Sequence, residues 1–284
     1  MRPEPVGLLS EDGVSLAAQY YRGVSPGLGY LVGHGFTGSA SQERVRAISE
    51  RLAGSGADVL ALDFRGHGAS GGRSAVGATE HLDLAAALAW LRARRPDLPI
   101  VALGFSMGAS IVVRHAGLPS TRGFRPDAVV AVSGPGRWYE RGTEPMRRLH
   151  LGVETRLGRL VLRTAFRTRV GGGWDELPPA PVELAGGIDV PLLIVHGDAD
   201  PYFGLEHPRM LAAAAPAAEL WIEPGMGHAE TATTPELLER VQAWAALAVS
   251  AVSAASVAAS AFSAVAGRTV ADTGSGPESG TMDG

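Results

Sequence analysis

Ser106 sits in Gly104-Phe105-Ser106-Met107-Gly108, between an apolar run ending at Leu103 and a helical pattern beginning at Met107. Strand, G-x-S-x-G and helix, in that order, describe a sharp turn that lifts a hydroxyl above the end of a sheet. Small residues two before and two after the serine let strand and helix pass closely. The helix N-terminus favours negative charge beside the hydroxyl. Such a serine is suited to attack a carbonyl carbon.

A serine hydroxyl is a weak nucleophile at neutral pH and needs a base. Of the eight histidines, His34 and His196 end apolar runs and read as structural. His67 lies in a Gly-rich loop, His81 near a helix start and His115 on the helix after the Ser106 turn. His228, in Gly225-Met226-Gly227-His228-Ala229-Glu230 directly after the apolar run 220–222, is the preferred base, with His207 as its competitor. The imidazole needs a carboxylate to fix its tautomer and stabilise the imidazolium. The run 191–195 ends in His196-Gly197-Asp198-Ala199-Asp200-Pro201, which offers two. Asp200, deeper in the loop, is expected to face His228. Asp198, nearer the strand, is expected to bond to loop backbone.

Acyl transfer also needs backbone donors aimed at the developing oxyanion. The N–H of Met107 is one. The N–H of Phe36, in Gly33-His34-Gly35-Phe36-Thr37-Gly38 after an early apolar run, is the other. Asp63-Phe64-Arg65-Gly66-His67-Gly68 also mixes acid, base and glycine. It reads as a structural loop in which Asp63 and Arg65 bond to each other or to neighbouring backbone.

The elements that must position these groups follow from periodicity. Short apolar runs at 14–21, 29–32, 58–62, 100–104, 128–132, 192–195 and 219–222 alternate with helical patterns at 41–53, 79–94, 107–116, 206–215 and 235–247. That alternation predicts an α/β fold with a mostly parallel central sheet and helices on both faces. Several runs are apolar on both sides, as central parallel strands are. Residues 1–134 and 188–249 read as this core. Residues 135–187 break the rhythm, with a helical stretch near 155–168, Trp138, Tyr139 and Trp174, and a Pro-rich exit from Leu177 to Pro181. An insertion over one end of a sheet reads as a lid. Trp138 and Tyr139 in it, with Tyr202 and Phe203 beside Asp200, are the expected substrate contacts.

Arginines dominate the insertion, and Arg156, Arg159, Arg163 and Arg167 fall on one helical stripe. Such a helix would suit an anionic membrane or a phosphate-bearing substrate. A solvated face in an Arg-rich chain is the preferred reading. Residues 250–284 form an Ala/Ser-rich tail, uncharged from Arg240 to Arg268 but poor in Leu, Ile and Phe. Membrane insertion there would be marginal. A weakly helical or disordered extension is expected instead, with disorder from Thr269.

Composition removes other chemistries. The 284 residues include no Cys, no Lys and no Asn. Disulfides, thiolate nucleophiles, Schiff-base lysines and N-glycosylation are excluded. The net charge of −4 carries no polybasic footprint for nucleic acid. The N-terminus lacks an apolar core for a signal peptide, which with the absent Cys favours the cytoplasm.

The motifs HGFTG at 34–38, DFRGHGAS at 63–70, GFSMG at 104–108, HGDAD at 196–200 and GMGH at 225–228 together resemble the α/β-hydrolase superfamily. They look most like its small-lid esterases and lipases, grouped with monoacylglycerol lipases and serine-aminopeptidase-like hydrolases. The order Ser106, Asp200, His228 is that superfamily's chain order. The resemblance implies these three as a triad, Phe36 and Met107 as oxyanion donors, no cofactor and no metal. It implies a small-molecule acyl ester as substrate. A thioesterase, an amidase or peptidase, and a non-catalytic binding protein on the same scaffold are the alternatives.

Overall fold

A computed structural model describes residues 1–171 and 177–271 of the chain. Trp174 and residues 272–284 therefore lie outside the described residues. In chain order the elements are β1 (Glu4–Leu9), β2 (Ser15–Tyr21), β3 (Gly29–Gly33), α1 (Glu43–Gly54), β4 (Asp58–Asp63), α2 (His81–Arg94), β5 (Ile100–Phe105), α3 (Met107–Gly117), β6 (Ala128–Val132), α4 (Glu144–Glu154), α5 (Arg156–Ala165), α6 (Pro181–Ala185), β7 (Leu192–Gly197), α7 (Glu206–Ala214), β8 (Glu219–Glu223), α8 (Ala229–Ala232) and α9 (Pro235–Ala271).

The strands form one eight-stranded sheet in the order β1-β2-β4-β3-β5-β6-β7-β8. β1 and β2 are antiparallel to their neighbours, and every pair from β4 to β8 is parallel. The seven apolar runs of the sequence correspond to β2–β8. β1 was not expected. Its run is broken by Pro5 and Gly7, and four of its six residues are exposed, as an edge strand allows.

Alternate residues of the central strands feed two cores. Leu31, Leu60, Leu62, Ile100 and Ala102 point to the face covered by Leu84, Leu88 and Leu91 of α2 and by α3. Tyr30, Val32, Val59, Ala61, Val101 and Leu103 point to the other face. There they meet Val45, Ile48 and Leu52 of α1 and Leu238, Val241 and Ala245 of α9. Helices on both sides leave β3 to β6 buried along their whole length, which is why their sequences are apolar throughout.

Strand order reverses between β3 and β5: β3 is followed in space by β4 on one side and β5 on the other. Ligands of open parallel sheets bind in the crevice at such a switch point, beyond the strands' C-terminal ends. Gly33 at the end of β3 is paired with Gly104 near the end of β5. The loop after β3 and the turn after β5 therefore leave the sheet side by side.

The insertion differs from its expected outline in two ways. It contains two helices, α4 and α5, where the sequence suggested one. Its last helix, α6, packs on α3, with Ala185 wholly buried, so α6 belongs with the core rather than the cover. α5 buries only Leu162 and leaves Arg156, Arg163, Leu157, Leu160 and Val161 exposed. The tail takes the helical of its two expected forms: α9 runs on through the Ala/Ser segment to Ala271, two residues past Thr269, where disorder was expected to begin. Among the described residues no helix is long and apolar enough to cross a membrane.

Candidate active site

The turn between β5 and α3 places Ser106 at φ 50° and ψ −113°, a backbone conformation that L-residues rarely adopt. Two close approaches make this turn possible. A Cβ on Gly104 would lie 2.3 Å from the carbonyl oxygen of Gly108, so the chain folds tightly back on itself. The Ser106 N–H donates to the carbonyl of Val132 on β6 at 2.9 Å. The hydroxyl thus emerges at the switch point, held by two strands and a buried helix.

His228 follows β8. Its Nε2 is 2.9 Å from Ser106 Oγ, and its Nδ1 is 2.7 Å from Asp200 Oδ2. Asp200 follows β7, and its side chain is fully buried. Its Oδ1 accepts the N–H groups of Tyr202 at 2.8 Å and Phe203 at 3.2 Å. Burial pushes the Asp200 carboxyl up, but the bonds from His228, Tyr202 and Phe203 outweigh it and hold the group below the usual carboxylate range. The ring of Tyr202 lies 4.3 Å from that of His228, and that of Phe203 lies at 5.7 Å, so two aromatic rings pack beside the histidine. Asp198 accepts the Gly225 N–H at 2.6 Å, as expected of the acid nearer the strand.

His207 is not in this chain of contacts: its Nδ1 accepts the Gly136 N–H at 3.1 Å, at the foot of the insertion. His196 bonds the carbonyl of Phe203 through Nε2 at 3.0 Å. His34 is wholly buried. Its Nε2 accepts the Phe64 N–H at 3.1 Å, so its Nδ1 carries the proton given to the Gly35 carbonyl at 2.8 Å. The C=O and N–H of a trans peptide point in opposite directions. Holding the Gly35 carbonyl on His34 therefore turns the Phe36 N–H away from that ring. A Cβ on Gly35 would stand 3.3 Å from the Cβ of Ser106, so this loop lies directly against the serine.

Asp63 and Arg65 do not bond to each other. Asp63 accepts the backbone N–H groups of Ala40 at 2.6 Å and Ala69 at 2.8 Å, tying the loop after β3 to the loop after β4. Arg65 instead joins Asp12 and the buried Asp83.

The chain of contacts opens into a cavity of about 930 Å³ between the sheet end and the insertion. Ser106, Met107, His228 and Phe36 line its floor. Trp138, Tyr139, Tyr202 and Phe203 all line it too. Much of the remaining wall is apolar: Val76, Met146, Leu149, Val153 and Leu162. Trp138 is anchored by Nε1 donating to the carbonyl of Pro178 at 2.9 Å. The insertion is fixed at both feet. Thr143 caps α4 and donates to the Tyr202 carbonyl at 3.0 Å, while Val170 bridges Ser74.

Residues 30–172 match the family model described as serine aminopeptidase, S33. The chain belongs to this family of α/β-hydrolases. Among S33 relatives and neighbours, a monoacylglycerol lipase from Mycolicibacterium smegmatis is 28% identical, with 75% of this chain and 86% of that protein covered. The Pyrococcus furiosus esterase Pf2001 superposes with a TM-score of 0.67 at 27% identity, covering 85% of this chain and 89% of that one. Est1E from Butyrivibrio proteoclasticus, at 20% identity and a TM-score of 0.57, shares the fold. The S33 chain described here is thus an esterase- or lipase-like hydrolase.

Two residues at the site were not singled out by sequence. Ser133, after β6 at φ 53°, accepts the Ala229 N–H on its hydroxyl at 3.0 Å and so holds the His228 loop. Glu230, two residues past His228, accepts the Gly35 N–H at 3.2 Å. The signal for Glu230 was its place beside His228 in GMGHAE; for Ser133 the sequence offered none.

Proposed function

We propose that the protein hydrolyses carboxylic esters of small to medium acyl chains through an acyl-enzyme on Ser106. His228 takes the Ser106 proton on Nε2 as Oγ attacks the carbonyl carbon. Asp200 holds the imidazole with its proton on Nδ1 and stabilises the imidazolium. The oxyanion is received by the N–H groups of Phe36 and Met107. His228 then protonates the leaving alcohol. Water activated by the same histidine releases the acid and restores the serine. No step calls for a metal or a cofactor. The insertion serves as the lid over the acyl chain, with Trp138, Tyr139, Tyr202 and Phe203 as walls of the binding site.

The observation that carries the reading is the unbroken chain from Ser106 Oγ through His228 to the buried Asp200, at the floor of a largely apolar cavity. A cavity of about 930 Å³ is at the upper end of small-molecule sites and suits an acyl chain more than a peptide segment. The names of the relatives, a monoacylglycerol lipase and an esterase, point the same way.

The test is turnover of p-nitrophenyl esters from about two to sixteen acyl carbons, wild type beside Ser106→Ala. We expect turnover to fall by a factor on the order of 10⁴ in the variant. Full turnover in Ser106→Ala would overturn the reading. A folded wild type inert on every ester but active on thioesters or amides would keep the machinery and replace the substrate class.

A further inference from the structure

The Glu230 carboxylate faces the oxyanion loop from the far side of the base. Its Oε1 accepts the Gly35 N–H at 3.2 Å. A Cβ on Gly35 would meet its two oxygens at 3.1 and 3.3 Å and the Cβ of Ser106 at 3.3 Å. Gly35 is therefore wedged between Ser106 and Glu230, where an added Cβ would press on both. The carboxylate belongs to the same cavity floor as Ser106, Phe36 and His228.

The backbone that carries Glu230 is set with equal care. Ala229, between the base and Glu230, has φ 51°. Its N–H is bound by the Ser133 hydroxyl at 3.0 Å. That strained residue turns the chain directly after His228, so one short segment, the α8 turn, supplies the base and the group that grips the opposite loop. Gly35 is then held at both polar groups: its N–H by Glu230, its carbonyl by His34 Nδ1 at 2.8 Å and by the Gly38 N–H at 2.9 Å. Fixing both peptide planes that flank Gly35 fixes where the next N–H, that of Phe36, is aimed.

We propose that Glu230 is a positioning residue that locks the oxyanion loop to the base loop through the Gly35 N–H, so that Phe36 meets the oxyanion only when His228 is in place. This rests on the Ser106 acyl-enzyme reading above. A preorganised donor is worth most where charge develops in the transition state, so the contribution appears in kcat and little in KM. Glu230→Ala frees the Gly35 N–H. Glu230→Gln keeps an acceptor oxygen at the same place.

The experiment compares wild type, Ser106→Ala, Glu230→Ala and Glu230→Gln on p-nitrophenyl butyrate. It adds the Ki of an alkyl trifluoromethyl ketone, whose hemiketal oxyanion occupies the same hole, and the Tm of each variant. Glu230→Ala is expected to lose about 10- to 100-fold in kcat with KM within about twofold. Its Ki should weaken by a similar factor, and Glu230→Gln should stay within about threefold of wild type. A Glu230→Ala enzyme with wild-type kcat and Ki overturns the proposal. So does an equal loss in Glu230→Gln, which would assign the effect to charge rather than to the accepted bond. A loss tracking a lowered Tm, with KM rising and kcat unchanged, also overturns it. Failure of the underlying reading is separate: it appears as turnover retained in Ser106→Ala.

Discussion

Gly108 on α3 and Gly33 at the end of β3 are in backbone contact: a Cβ on Gly108 would stand 2.4 Å from the Gly33 carbonyl oxygen. This contact brings the first turn of α3, and with it the Met107 N–H, up against the loop that carries Phe36. Backbone lies on both sides, so neither partner can yield as a side chain would. Gly108→Ala is expected to cost about 3 kcal/mol or more, at or above the usual range for overpacking, and to lower activity further by displacing Ser106. Gly54→Ala, at the end of α1 with nothing within 4 Å of the added carbon, is the control and should leave stability unchanged or slightly raised. Urea midpoints of the two variants decide the matter. Equal midpoints would remove the contact's importance.

Asp200 uses one oxygen for His228 and the other for the Tyr202 and Phe203 N–H groups. Asn in its place can keep the backbone bonds only by turning its NH₂ toward His228 Nδ1. That would make Nδ1 an acceptor and move the proton to Nε2, the nitrogen that takes the serine proton in the proposed mechanism. Asp200→Asn is expected to fold normally and lose about 10⁴-fold in kcat. Asp198→Asn, on the Gly225 N–H, should keep most of its activity. A reversal between these two variants in the ester assay would transfer the acid's role to Asp198.

The fold was legible because its central strands are apolar on both faces and its helices keep their own period, so β2–β8 stand out in the chain. β1 was invisible because an edge strand carrying Pro5 and Gly7 need not alternate. The chain Ser106–His228–Asp200 was legible because glycines and an apolar strand precede each member. What the sequence concealed is contact between distant loops. Arg65 finds Asp12 and Asp83 rather than Asp63, and nothing in a linear pattern encodes that choice. The stretch ending at Ala271 stayed open between helix and disorder for another reason: Ala-rich sequence has high helix propensity but no apolar stripe to announce a packed helix.

The Arg65 cluster carries its own prediction. Asp83 is completely buried and receives the Arg65 Nε at 2.8 Å and the Arg65 backbone N–H at 2.8 Å. Burial pushes the Asp83 carboxyl up to about 6 even though Arg65 pulls it down. Arg65→Met leaves that carboxylate without its cation, at a cost of about 3–5 kcal/mol. The penalty falls on the ionised form only. It is therefore full above neutral pH and eases as acid protonates Asp83. The difference in urea midpoint between wild type and Arg65→Met should be larger at pH 8 than at pH 5. A pH-independent difference would mean that lost packing, not the stranded charge, sets the cost.

Buried histidines should set the acid limit of the protein. Burial holds His34 down to about 4 and His67 down to about 3, against 6.5 for an exposed ring. His81, His115, His196 and His207 are lowered as well, each chiefly by burial. Below pH 6.5 the unfolded chain binds protons that the native chain refuses. The unfolded state then holds the greater number, and stability rises with pH across this window and is lost as pH falls. His34 alone, shifted from 6.5 to about 4, accounts for about 3 kcal/mol between pH 7 and pH 4. The Tm should therefore drop steeply and cooperatively below about pH 6, with more than one proton taken up per molecule unfolded. His67 gives the cleanest variant, because its Nε2 finds no partner among the described residues. His67→Leu should flatten the dependence of stability on pH by about 1.4 kcal/mol per pH unit between pH 6 and pH 4. A Tm constant from pH 7 to pH 5, or a slope that the substitution leaves untouched, would show that these rings are protonated in the native state.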